Sequence, residues 1–214
     1  MRAWLGPAAA AAVALALAAC PYHPRAPMPR PREGDWARAR DSASRRAFLY
    51  DGLAHRATAT VTYLSPQVRE ARARRLAEWL DWTPQELESR LAQERAEADA
   101  GEEFLVALFT AGPKDNDLDA PRSIWRVALK VGTEDLLASR VTSIGVDATV
   151  AGLFPYIGPF DVVYRVIVPH SPSGPIEERP FVLQLASGLG KLELDFGAPS
   201  KKPPDAPWEP VPPS

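Results

Sequence analysis

The 214-residue chain has one cysteine, two methionines, three histidines and five lysines, against twenty arginines. A single cysteine excludes an internal disulfide framework and any thiolate metal cluster. A formal net charge of −2 excludes the strong electrostatic footprint of a dedicated nucleic-acid binder. The apolar run at the amino end is too short for the roughly 20 residues that span a bilayer. No Gly-rich nucleotide loop, zinc-ligand spacing, helix-turn-helix signature or repeat period is present. No Gly-x-Ser-x-Gly elbow marks a serine nucleophile. These absences leave no cofactor and no metal to be expected, and they do not name an activity. What the chain does have is unevenly spread: 23 prolines, about twice the usual share of roughly 5%, gather mostly near its ends.

Residues 1–20 read MRAWLGPAAAAAVALALAAC, with Arg2 as a short basic region ahead of the apolar run. This is the layout of an export signal. Its last four residues, Leu17-Ala18-Ala19-Cys20, resemble the lipobox of bacterial lipoproteins. The resemblance implies cleavage after Ala19 and acylation of the Cys20 thiol with a fatty chain such as palmitate. It also implies acylation of the new amino terminus. The small Ala18 and Ala19 suit close approach of a peptidase, and cysteine supplies a nucleophilic thiol. Two or more acyl chains anchor stably where one binds only marginally. The expected partner of this end is therefore a membrane. Pro21, where aspartate would favour inner-membrane retention in some bacteria, points to the outer membrane of a Gram-negative envelope, with the body facing the periplasm or the cell surface.

Residues 20–47 read as a lipidated tether, with five prolines between Pro21 and Pro31 and a short helix from about Asp35. Seven arginines against Glu33, Asp35 and Asp41 make it basic, while the body at 48–196 is acidic. A basic tether suits phosphate head groups; the excess of arginine over lysine also fits a GC-rich genome. The tail at 197–214 holds seven prolines and cannot form a helix or a central strand. It reads as disordered, with Trp208 available for polyproline-type docking.

The body alternates in the period of strands. In RATATVTYL (56–64), Ala57, Ala59, Val61 and Tyr63 share one face and threonines the other. Similar runs follow at 103–111, 124–131, about 140–150, 160–168, 180–186 and 191–196, with a hairpin turn at 187–190. The pattern breaks at about 65–100. Ser65-Pro66 is a helix start, and Thr83-Pro84-Gln85-Glu86 has capping-box spacing. Val68, Leu76, Trp79 and Leu80 form the apolar arc of the first helix. Glu86–Arg90 and Arg95–Asp99 are spaced for pairing along the second. The expected fold is mainly β: an antiparallel β-sandwich, immunoglobulin-like, with a two-helix insertion.

Candidate chemical residues are sparse. His23, His55 and His170 lie far apart without metal-ligand spacing. Residues 114–119 (KDNDLD) place oxygens as in a calcium loop, but Ala120 and Arg126 stand where glycine and glutamate are needed. An Asx-rich turn explains them equally well. Arg69, Arg72, Arg74 and Arg75 suit an anionic docking patch or a solvated, charge-laced helix. Trp82, in the turn between the helices, is the better exposed of the paired tryptophans, with Trp79 in the core. Leu153, Phe154, Tyr156 and Ile157 in AGLFPYIGPF form a binding surface if exposed and core if not.

The body also resembles uncharacterised, GC-rich bacterial envelope lipoproteins in ATVTYLSPQVREARARRLAEWLDWTPQE and SIWRVALKV, a family resemblance that implies no activity. The expectation is a non-enzymatic, lipid-anchored domain that binds an envelope protein or polymer. The alternative is a small-ligand or carbohydrate-binding lipoprotein using Trp82 and the 151–160 run. An envelope hydrolase would need a cleft joining His55 or His170 to two carboxylates.

Overall fold

The computed structural model describes residues 34–177 and 179–197. The signal segment, Cys20, His23 and Trp208 lie outside them. The elements in order are α1 (Gly34–Ser42), β1 (Ser44–Asp51), β2 (Ala54–Tyr63), α2 (Pro66–Leu80), α3 (Pro84–Ala98) and β3 (Glu102–Thr110). After a 3-10 turn (Pro113–Asp115) come β4 (Arg126–Val131), β5 (Glu134–Leu137), β6 (Arg140–Ile144), α4 (Ala148–Leu153), β7 (Val162–Val168), β8 (Phe181–Ser187) and β9 (Gly190–Asp195). The fold is mainly β. A five-stranded sheet runs β1-β2-β3-β7-β6 and a four-stranded sheet β5-β4-β8-β9, with antiparallel pairing throughout.

Alternation places the core. Ala57, Ala59, Val61 and Tyr63 of β2 are buried on the face that the sequence pattern assigns to them. They join Phe104, Val106 and Leu108 of β3 and Tyr164, Val166 and Val168 of β7. Val127, Leu129 and Val131 of β4, Phe181, Leu183 and Leu185 of β8, and Leu192 and Leu194 of β9 complete the same apolar cluster. β3 is buried on both faces, because Leu105 and Ala107 pack into a second cluster with Trp36, Leu64, Val68, Leu153, Phe154, Tyr156 and Val163. Burial on both sides is why EFLVALFTA reads as a continuous apolar run.

The helical insertion is present with its expected starts. Ser65 Oγ accepts from Val68 N, and Thr83 and Glu86 form a reciprocal capping box. Glu86 is held by that box, and Arg90 turns to Glu94 Oε1 at 2.6 Å instead.

Three expectations change. The strand at about 140–150 ends at Ile144, since Asp147 caps a helix there by accepting from Val150 N at 2.7 Å. Two strands, β1 and β5, have no counterpart in the sequence reading; both are edge strands with mixed patterns, and β5 has only four residues. The tether boundary at 47/48 also moves. The folded unit begins at Gly34, because Trp36 buries its ring against Phe154 and donates Nε1–H to Leu153 O at 3.1 Å.

Candidate functional site

Three chain segments converge where β2 ends, β3 begins and β7 runs out. Tyr63 closes β2, Glu102 opens β3, and His170 follows Pro169 after β7. The Tyr63 hydroxyl donates to Glu102 Oε2 at 2.7 Å, and His170 Nδ1 lies 2.9 Å from Glu102 Oε1. Glu102 is buried, so each of its oxygens has a partner, as burial of a carboxylate requires. A cleft of about 280 Å³ opens beside it, lined by Glu102, His170, Ser171, Gly174, Pro175 and Glu177. A second cleft of about 180 Å³ shares Glu102, His170 and Glu177 and extends to Arg69, Asp99 and Gly101.

The electrostatics define what the site can do. The hydrogen bond to Glu102 raises the His170 pKa; slight burial opposes this, while the Glu102 charge and the Asp99 and Ala98 carbonyls add to it. Those carbonyls end α3, where a helix favours a cation. The Tyr63 hydroxyl is pushed far up, first by burial and then by Glu102 and Glu177, so it stays a donor. The arrangement holds a proton on His170 more firmly than a free imidazole would. It clamps the segment after β7 to β3 and to the end of the insertion.

Sequence reasoning placed His170 at a strand end but missed Tyr63, Glu102 and Glu177. One signal was available: Glu102-Glu103 head an otherwise apolar strand, where glutamate is disfavoured. Glu103 belongs to a neighbouring buried ionic cluster. Arg69, only 2% exposed, bonds Leu64 O at 3.0 Å, Glu94 Oε2 at 2.9 Å and Glu103. Arg72 and Arg90 also bind Glu94, and Arg165 binds Glu97 and Glu103. Burial opposes ionisation of Glu94, but Arg72, Arg69 and Arg90 outweigh it and hold its pKa below the usual range. Of the arginines read as a docking patch, Arg69 and Arg72 thus brace the insertion against the sheet. Arg74 pairs with Glu70, and the Arg75 guanidinium sits 4.9 Å over the Trp79 ring.

Of the two readings of the 151–160 run, core and exposed surface, the structure shows core. Leu153, Phe154 and Tyr156 are buried and Ile157 packs beside them, because α1 covers this run. Tyr156 OH bonds Thr62 Oγ1 at 2.6 Å. Trp82 is half-buried, while Trp79, expected in the core, is 41% exposed. The chain turns between them, where α2 ends at Leu80 and Asp81 takes φ 51°. His55 stacks on Phe109, with ring centroids 5.4 Å apart, and its Nε2 lies 2.7 Å from Thr58 Oγ1.

The 114–119 loop is stitched to protein. Asp117 accepts from Ser123 Oγ, Asp119 from Ser143 N, and Asn116 donates to Leu108 O. Among the described residues, no group of three or more Asp, Glu or His side chains is placed to hold a metal ion. Among the same residues, no helix is long and apolar enough to cross a membrane. Comparison with protein-family models, curated proteins and solved structures gave no match to this chain.

Proposed function

We propose that the protein is a lipid-anchored envelope lipoprotein, acylated at Cys20, that displays a non-enzymatic binding domain at the membrane for an envelope protein or polymer. The observation that carries this reading is a lipobox-like run followed closely by a folded body: only residues 21–33 separate Cys20 from Gly34. An acylated Cys20 would hold the body within a tether's length of its bilayer. Within this reading the body is a β-sandwich of immunoglobulin-like kind. The apolar cluster common to both sheets supports two facing layers. It departs from the immunoglobulin strand order, which puts the third strand in the opposite sheet, in that β1, β2 and β3 are consecutive neighbours.

The paired state of the site supports binding over catalysis. Glu102 spends both oxygens on Tyr63 and His170, and His170 is biased toward the charged, proton-donating form. The test is mass measurement of the mature amino terminus together with crosslinking in intact cells. A diacylated or triacylated Cys20 and a reproducible crosslinked partner are expected. An unmodified Cys20, or cleavage elsewhere, overturns the anchor; no reproducible partner overturns the binding role.

A second reading, an envelope hydrolase, draws on one observation: a single cleft joins His170 to Glu102 and Glu177. Turnover of an ester, amide or glycoside substrate that is abolished by Glu177→Gln would favour it. Turnover unchanged by that substitution would remove it.

A further inference from the structure

The β1–β2 hairpin is built against the usual rule for exposed turns. Its turn residues are Gly52 and Leu53, with Gly52 at φ 58° and Leu53 outside the left-handed region. Glycine at the first central position with positive φ gives a type II′ turn, which suits the twist of a hairpin. The second position has no steric need for leucine, and polar residues are favoured at such tips. Yet Leu53 is fully exposed, and Phe48 and Tyr50 are 56% and 57% exposed. Phe48 and Tyr50, two apart on β1, share the sheet face turned away from the main core.

These side chains are held in place beforehand. The register slips at Leu49/Tyr50, so that Tyr50 pairs with His55 and Arg56 becomes the extra residue of a bulge. That slip turns His55 onto the face of Phe48 and Tyr50. There its ring stacks on Phe109 with the planes 9° apart and lies 5.1 Å from the Tyr50 ring. Thr58, opposite Phe48, fixes His55 Nε2. The patch is therefore an aromatic plate ending in an apolar apex.

Its charge differs from that of the body. Arg46 shares the face of Phe48 and Tyr50, and Arg56 is balanced by Asp51 at 2.8 Å beside the turn, while Arg45 sits on the other face over Phe196; residues 48–196 as a whole carry an excess of acid. An anionic surface is drawn to the hairpin and repelled by the rest. A bilayer that holds an acylated Cys20 would be such a surface. Residues 21–33 extended to about 3.5 Å each reach roughly 45 Å. A bilayer holding Cys20 then lies within that length of Gly34.

We propose that Leu53, Phe48 and Tyr50 form a second membrane contact, with Leu53 entering the acyl boundary and the aromatic rings at head-group level of an anionic bilayer. The proximity of that bilayer rests on the Cys20 anchor; the fit of the hairpin does not. Amphipathic aromatic rings and arginines are the residue types that settle at this depth.

The test uses the mature chain reconstituted in vesicles of phosphatidylethanolamine and phosphatidylglycerol. In Leu53→Cys, an environment-sensitive probe attaches at position 53 alone, because Cys20 is the only other cysteine and is blocked by its acyl chain. Quenching by lipid-borne bromine and shielding from aqueous iodide are expected. Equal access to iodide with and without vesicles overturns the proposal, as does shielding that appears only with added envelope polysaccharide. In parallel, residues 20–214 with Cys20→Ser should bind the same vesicles without acylation. Leu53→Asp should weaken that binding about tenfold, as loss of one inserted leucine implies. An unacylated Cys20 in the native protein combined with binding in this second assay would fail the anchor and leave the hairpin standing. An acylated Cys20 with a water-exposed probe would do the reverse.

Discussion

Arg69→Met tests how the helical insertion is held to the sheet. The substitution keeps an unbranched stem in a site that is 2% exposed but removes the guanidinium from Leu64 O, Glu94 and Glu103. Removing one partner of a buried pair costs about 3–5 kcal/mol, because a charge is left in a poor solvent. Here neither carboxylate is left wholly alone. Arg72 and Arg90 remain on Glu94 at 2.7 and 2.6 Å, and Arg165 remains on Glu103 at 2.7 Å. That redundancy puts the ionic loss at the low end, while the stranded Leu64 carbonyl adds about 1 kcal/mol. The sum is about 3–4 kcal/mol, or roughly 10 °C in Tm for a chain of this size. Urea unfolding of the wild type, Arg69→Met, Glu94→Gln and the double variant measures it, with a coupling of about 1–2 kcal/mol expected from the cycle. The Glu94 pKa is depressed in the fold, so its contribution is present above the unfolded carboxylate value and fades as pH falls through the folded one. The gap between wild type and Arg69→Met should therefore narrow in acid. A loss below about 1 kcal/mol at neutral pH, with no coupling to Glu94, would refute the reasoning and assign the insertion's docking to the apolar cluster around Val68 and Leu105.

The remaining predictions concern the cleft and the joint beside it. Because the His170 pKa is raised in the fold, its contribution to stability is complete below the ordinary value of 6.5 and is lost as pH climbs through the raised one; unfolding curves of His170→Gln should lack this alkaline-side loss, and an unchanged pH profile would refute the clamp. Gly101→Ala should destabilise by about 3 kcal/mol or more in thermal melts, since the position has φ 143° and a Cβ would collide with Val168 O; a near-neutral melt would show that the α3–β3 joint yields.

What could be read beforehand was local in physical origin. The Ser65 and Thr83 caps depend on residues three apart, and a side-chain oxygen facing an unpaired amide decides them wherever the helix lies. The β2 face was legible because one of its sides is solvent or polar and the other is core. For β3 the same logic yielded a strand but not its surroundings, since an apolar run does not say what covers each side. AGLFPYIGPF was ambiguous for that reason: only the arrival of Trp36 and α1 makes Leu153, Phe154 and Tyr156 core instead of surface.

By itself, then, the sequence determined the β-rich class and the position and capping of the helical insertion. Each follows from neighbours in the chain. The tertiary structure alone decided that Tyr63, Glu102 and His170 meet, that Arg69 is a buried brace, and that a bulge at Arg56 turns His55 onto the aromatic face. Glu102 and His170 are 68 residues apart, and their contact depends on the register of β3 against β7. Strand pairing across such distances is set by the sum of many packed side chains, which no local pattern records.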